Sequence, residues 1–183
     1  DGIGGLVGSL SGNGSLTDAY ASGSINSSFG SVGGLAGTSE CAIRRVWTSV
    51  DIVSVANNIG GILGTAGKSM NLTSSFATGE VYSKTGSFDK VGRIYGSGIG
   101  TAKVTTSRSF AYEGQMMNGQ TSEEKLDAYG LLSVDKLSGS SARVGWSRRV
   151  GIGSGFRLLG KDSPEQTNGL LPYLLDEDGT SLM

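Results

Sequence analysis

The sequence predicts an all-β fold: a β-solenoid of about four three-stranded coils followed by a small C-terminal α+β cap. Three observations carry this expectation. A glycine-rich hexapeptide recurs at near-constant spacing, the segments behind it alternate apolar and polar residues at a period of two, and both patterns stop near residue 121.

The hexapeptide Ile3-Gly4-Gly5-Leu6-Val7-Gly8 returns as Val32-Gly33-Gly34-Leu35-Ala36-Gly37 and as Ile59-Gly60-Gly61-Ile62-Leu63-Gly64. A looser fourth copy is Val91-Gly92-Arg93-Ile94-Tyr95-Gly96. The starts at 3, 32, 59 and 91 lie 29, 27 and 32 residues apart, a spacing suited to solenoid coils. Glycines at one place in every coil either give the chain a positive φ for a sharp turn or let neighbouring backbones approach closely.

Behind each copy come Leu16, Ile43, Leu72 and Val104, and then an aromatic residue, Tyr20, Trp47, Phe76 and Phe110. Leu16 to Tyr20 and Leu72 to Phe76 alternate at a period of two, the pattern of half-buried strands. A third apolar stretch follows at Ile25, at Ile52, Val53 and Val55, and at Val81 and Tyr82, so one coil resolves into three short strands. Stacking the coils lines Ile3, Val32, Ile59 and Val91 into one ladder and Tyr20, Trp47, Phe76 and Phe110 into a second, each coil covering the apolar face of the next.

The repeats are assigned to residues 1–120 and a capping segment to 121–183. Thr121-Ser122-Glu123-Glu124 is a capping-box signature that opens a short helix through Leu126 and Tyr129, stopped by Gly130. Apolar clusters around Leu131, Trp146, Phe156 and Leu170 to Leu175 then supply a closing structure, which the open end of a solenoid requires.

Composition narrows the function. The 32 glycines have no strict three-residue period, which excludes collagen. Fifteen basic and sixteen acidic residues give a net charge of −1, with no electrostatic footprint for nucleic acid and no run suited to membrane insertion. The basic doublets Arg44/Arg45 and Arg148/Arg149 are expected to be solvated. With no histidine and the single Cys41, a small core residue, neither a disulfide framework nor a zinc site can be built within the chain. Asp1 follows no initiator Met or signal peptide, so the chain is expected to be part of a longer polypeptide.

Several strings imitate chemical motifs. Gly2 to Gly8 lacks the G-x-G-x-x-G spacing and the following helix of a dinucleotide loop. Gly61 to Ser69 (GILGTAGKS) ends like a phosphate-cradling loop but has five residues, not four, between its glycines. Lys84-Thr85-Gly86 and Ser87-Phe88-Asp89-Lys90 match two pieces of the penicillin-binding signature in the wrong order. Asp18, Asp51, Glu80, Asp89 and Glu113 occupy different places in their coils and offer no convergent acid and base. No catalytic residue, cofactor or metal is therefore expected, and the chain is expected not to be an enzyme.

The hexapeptide followed by Asp18-Ala19-Tyr20-Ala21-Ser22-Gly23-Ser24-Ile25, and again Ile59 to Gly64 followed by Ser75-Phe76-Ala77-Thr78-Gly79-Glu80-Val81, resembles the GLUG repeat. The resemblance covers about two thirds of the chain. The fourth copy departs from it at Arg93 and Tyr95, and the second at Thr48-Ser49-Val50. The family occurs in bacterial surface and secreted proteins, including haemagglutinin-like adhesins and the non-catalytic N-terminal regions of streptococcal immunoglobulin A metalloproteases. The resemblance implies an extracellular or cell-surface module serving adhesion or acting as a structural spacer. The alternative it leaves open is an accessory, substrate-positioning region of a large secreted protease or glycan-active enzyme. Expected partners are a host surface protein or glycan and further domains of the parent chain, with Arg44, Arg45, Tyr82 and Tyr95 as the candidate ligand surface. The zinc-protease motif H-E-x-x-H has no counterpart in a chain without histidine, so no catalytic residue carries over.

Overall fold

The computed structural model describes residues 1–55, 57–86, 89–107, 109–112 and 115–119, together with residues 131–132, 156–158 and 172–174. Two compact units divide the chain, Asp1–Leu131 and Leu132–Met183. Among the described residues every regular element is a strand. The helix expected from Thr121 to Gly130 lies outside the described residues, as does Trp146.

Each glycine hexapeptide builds a pair of strands joined by an arch. The first strands of the pairs are β1 (Gly2–Gly4), β4 (Ser31–Gly33), β7 (Asn58–Gly60) and β12 (Val91–Gly92), which form one parallel sheet. The second strands, β2 (Val7–Leu10), β5 (Ala36–Ser39), β8 (Leu63–Ala66) and β13 (Tyr95–Gly98), form another. The third sheet holds β3 (Ser15–Ser27) and β6 (Ala42–Ser54), then β9 (Met70–Thr73), β10 (Phe76–Ala77) and β11 (Val81–Ser83), then β14 (Val104–Ser107) and β15 (Phe110–Tyr112). The described residues of the first unit thus form an all-β solenoid built on parallel sheets. The two-residue strand β16 (Leu131–Leu132) lies at the boundary of the units, and in the second unit β17 (Phe156–Leu158) pairs antiparallel with β18 (Pro172–Leu174).

The three-way division of a coil differs from the sequence expectation in where the bends fall. The hexapeptide is two strands rather than one, because Gly5, Gly34 and Gly61 sit in an arch between them. The stretches around Leu16 and Ile25 are one strand, β3, and those around Ile43 and Ile52 are likewise one, β6.

The hexapeptide glycines act through space rather than positive φ, which none of them adopts. A Cβ on Gly4, Gly33 or Gly60 would overlap the carbonyl oxygen of Val7, Ala36 or Leu63 across the arch. One on Gly37, Gly64 or Gly96 would meet the backbone nitrogen of Ile3, Val32 or Ile59. One on Gly5, Gly34 or Gly61 would strike the carbonyl of Gly34, Gly61 or Arg93 in the next coil, and Gly34 O also accepts a hydrogen bond from Gly5 N at 3.1 Å.

The register is in step throughout. Ile3 pairs with Val32, Val32 with Ile59 and Ile59 with Val91. Tyr20 pairs with Trp47, Trp47 with Phe76 and Phe76 with Phe110. In the fourth copy Tyr95 keeps register with Leu63, and Arg93 is fully buried in the arch column that holds glycine elsewhere.

One local conformation sets where the aromatic column points. Asp18, Arg45 and Ser74 occupy equivalent places and adopt φ of 53°, 50° and 51°, left-handed values that side chains other than Gly, Asn and Asp seldom take. The extra corner shifts the alternation by one. Ala19, Ala21, Val46, Val50 and Ile52 therefore join the core, whereas Tyr20 and Trp47 fall on the opposite face of the strand. The simple period of two expected from Leu16 to Tyr20 is broken at Asp18, so those two residues do not share a face. Trp47 is nonetheless 1% exposed, and its ring stacks on Tyr20 with centroids 5.7 Å apart.

Serine hydroxyls close the bends. Ser27 Oγ donates to Phe29 O at 2.8 Å, Ser39 Oγ to Cys41 O at 2.9 Å and Ser75 Oγ to Thr73 O at 2.9 Å, each two residues away. Buried Thr48 Oγ1 donates to Gly61 O at 2.7 Å and ties the third sheet to the arch of the next coil. These bonds give the carbonyls at the bends a side-chain donor beside the sheet ladders.

Two pairs of substitutions test this packing. Gly34→Ala should lower unfolding stability by about 2–3 kcal/mol through overpacking, while Gly14→Ala, where a Cβ would meet nothing within 4 Å, should stay within about 0.5 kcal/mol of the parent. Equal effects in denaturant titration would contradict the close-approach role. Trp47→Ala should cost about 3–5 kcal/mol. Trp47→Phe should cost less than Trp47→Ala, because it keeps an aromatic ring in the column and the buried Nε1 it deletes has no acceptor among the described residues.

Candidate functional surface

The outer face of the third sheet is assembled from columns of side chains that stand on the far side from the core. Beyond the aromatic column come Ser22, Ser49 and Thr78, then Ser24, Asp51 and Glu80, then Asn26, Val53 and Tyr82, in the order the register sets. Small polar residues dominate, and the columns are cross-tied. Glu80 N donates to Asp51 Oδ1 at 2.9 Å, and Lys84 Nζ to Asn26 Oδ1 at 3.1 Å.

The four candidate ligand residues do not gather on this surface. Arg44 is exposed, in line with Thr17 and Thr73 on the near side of the left-handed corner. Arg45 is committed to Asp18, with Nε to Oδ1 at 2.6 Å and Nη2 to Oδ2 at 2.5 Å. This bidentate bond raises the guanidinium pKa above its ordinary value, against an opposing desolvation. Tyr82 is 46% exposed beside Val53, which is nine residues beyond Arg44 on β6, so the two lie roughly 25–30 Å apart along the strand at about 3.3 Å per residue. Tyr95 belongs to the second sheet and packs against the core.

The structural columns are placed differently from the ligand candidates. Ile3, Val32, Ile59 and Val91 lie on the first sheet, with Val32 and Ile59 fully buried. The rings of Tyr20, Trp47 and Phe76 stand on the outer side of the third sheet, Trp47 and Phe76 being almost fully covered. Phe110 contributes its strand position to that column. Cys41 is buried, and its thiol donates to Gly12 O at 3.5 Å.

The stretch that imitates a phosphate loop is fully accounted for as solenoid. Gly61 lies in the arch, Leu63–Ala66 is β8, and Ser69 Oγ accepts from Lys103 N at 3.1 Å. Lys68 Nζ stands 2.7 Å from Glu40 Oε2 on the preceding coil. Among the described residues no three His, Cys, Asp or Glu side chains are grouped closely enough to hold a metal ion.

Sequence reasoning missed the inter-coil ion pairs Asp18–Arg45 and Glu40–Lys68 and the serine corner bonds. Asp18 and Arg45 are 27 residues apart, and Glu40 and Lys68 are 28 apart. Both spacings equal one coil, so opposite charges one period apart were the available signal.

The Glu40 pair has a defined pH dependence. The hydrogen bond and charge of Lys68 lower the Glu40 pKa and raise that of Lys68. A carboxyl depressed in the folded state stabilises the fold above its unfolded pKa, and that contribution disappears as pH falls through the folded pKa. Lys68→Ala should move the Glu40 titration midpoint, followed by carboxyl NMR shifts, upward to the ordinary glutamate range. Both side chains are substantially exposed, so the accompanying change in stability should be small.

Residues 2–26 match the family model of the GLUG motif. That span runs from β1 through all but the last residue of β3, which is the first coil. No curated protein and no solved structure matches the chain. The chain carries the GLUG motif in its first coil, and the coils behind repeat its strands in register, the arrangement of a GLUG repeat region.

Proposed function

We propose that this chain is a non-catalytic module of an exported bacterial protein, serving adhesion or acting as a structural spacer at the cell surface. The observation that carries the reading is the in-register parallel stack, in which each coil lays its strands on those of the coil before it. Such a scaffold presents a surface rather than a pocket. The outer columns of the third sheet are short hydroxyl, amide and carboxylate side chains with Tyr82 among them, chemistry suited to broad, shallow contact with a glycan or a protein. A host surface protein or glycan and neighbouring domains of the parent chain are the partners this surface fits.

At about 4.8 Å per coil, the three steps between four stacked coils give roughly 14 Å of height. The spacer role therefore depends on the coils acting within a longer assembly.

Antibody against the chain should label intact bacteria of the source without permeabilisation. The purified chain should turn over none of pectin, mucin or chitin. Labelling that needs permeabilisation would overturn the surface location, and measurable turnover would overturn the non-catalytic assignment.

A further inference from the structure

The two ends of the stack are unlike. In the last coil Ile94 is 0% exposed, as is Met117, which continues the Ile25, Ile52, Val81 column, while Tyr95 and Val104 are partly buried. In the first coil the interior positions are open. Leu6 is 47% exposed, whereas the residues stacked beneath it in sequence, Leu35, Ile62 and Ile94, are each 0% exposed and are joined backbone to backbone down the column. Ile3, Val7, Leu16 and Ile25 show the same contrast: all four are only partly buried, while their register partners in the second coil are 0% exposed. The first coil therefore carries the apolar residues of an internal rung at a position where a terminal rung would need polar ones. Its three strands β1, β2 and β3 are also sheet edges, each paired on one side only.

We propose that this end of the stack is a docking surface for one further coil of the same G-G-x-x-G pattern, laid on in parallel register. The established interface between the first and second coils is the template. A coil of this shape pairs with all three edges at once, covers Leu6, and places its own left-handed corner over Asp18 as Asp18 lies over Arg45. A second copy of this chain, related by a two-fold axis, meets those edges less well. Its strands run antiparallel to β3, so the parallel in-register pairing that joins β3 to β6 is not repeated. The proposal concerns the stack alone and does not depend on whether the module adheres to anything.

The test uses the whole chain with and without a second copy of residues 30–56 joined ahead of Asp1, which ends at the place in the coil that Asp1 follows. A scrambled sequence of the same length serves as control. The genuine coil should raise the thermal midpoint by about 5 °C or more, and slow amide exchange across Ser15–Ser27 by at least about tenfold. Leu6→Lys should shift the midpoint by less than about 2 °C in the unextended chain but lower it clearly in the extended one, where Leu6 becomes an interior residue. Equal midpoints and exchange for genuine and scrambled extensions would overturn the proposal, as would failure of the extended chain to unfold cooperatively. Sedimentation of the unextended chain supplies the last discriminator: a concentration-dependent dimer abolished by Leu6→Lys would assign this end to a second copy and overturn the proposed occupant.

Discussion

The strands of the first and second sheets approach one another so closely across the arch that no side chain fits between their backbones. Gly4 faces the carbonyl of Val7, Gly37 faces the amide of Ile3, and the same meeting recurs one coil later at Gly33 and Gly64. This approach decides the shape of the coil. With the arch collapsed to backbone, the apolar interior is a narrow strip filled by Val32, Leu35, Ile43, Val50 and Ile52 and their equivalents. A strip so thin buries little within one coil and much between coils, so stability comes from stacking. The hexapeptide repeats because the approach must be made again on every rung.

The left-handed corner at Asp18, Arg45 and Ser74 is the second constraint, and it runs against local preference. A left-handed conformation costs an L residue about 1–2 kcal/mol, and two of these three positions hold residues with little tolerance for it. What it makes possible is a column of aromatic rings on the outer side of the strand while the aliphatic core continues within. The Tyr20 and Trp47 stack contributes about 0.5–1.5 kcal/mol beyond burial, and burial of the Trp47 ring adds on the order of 2 kcal/mol more. The Arg45 and Asp18 pair, about a quarter exposed on each side, adds at most about 1 kcal/mol after solvent screening. The ring column's contribution is of the same order as the conformational cost of the corners that orient it, and the ion pair chiefly fixes the corner's geometry.

Much of this architecture was legible because a repeat exposes its register directly. Once Ile3, Val32, Ile59 and Val91 are aligned, the parallel pairing follows from counting, and the alignment of Tyr20, Trp47 and Phe76 follows from the same count. What the sequence concealed was conformation within a coil. Nothing in the residue types of Asp18, Arg45 and Ser74 announces a shared left-handed corner, so the side of the strand on which Tyr20 stands could not be read from alternation. The arch inside the hexapeptide was hidden for a related reason: two glycines in a row are equally consistent with a positive φ and with close approach, and only the neighbouring backbone distinguishes them. The candidate ligand residues fared differently. Arg44 and Arg45 are adjacent in sequence, yet the corner sends one to solvent and the other to Asp18, and Tyr95 follows the arch onto another sheet. A surface on a solenoid is defined by columns one coil apart, whereas those four residues were chosen by type.

In-register parallel stacking is the claim on which the rest stands, and through-space NMR contacts in the isotope-labelled chain test it most directly. The account predicts ring contacts from Tyr20 to Trp47 and from Trp47 to Phe76, with backbone contacts linking Ser22 to Ser49 and Ser24 to Asp51 in the pattern of parallel strands. Strong Hα to Hα contacts across β3 and β6, the mark of antiparallel pairing, or a register displaced by even one residue, would contradict it.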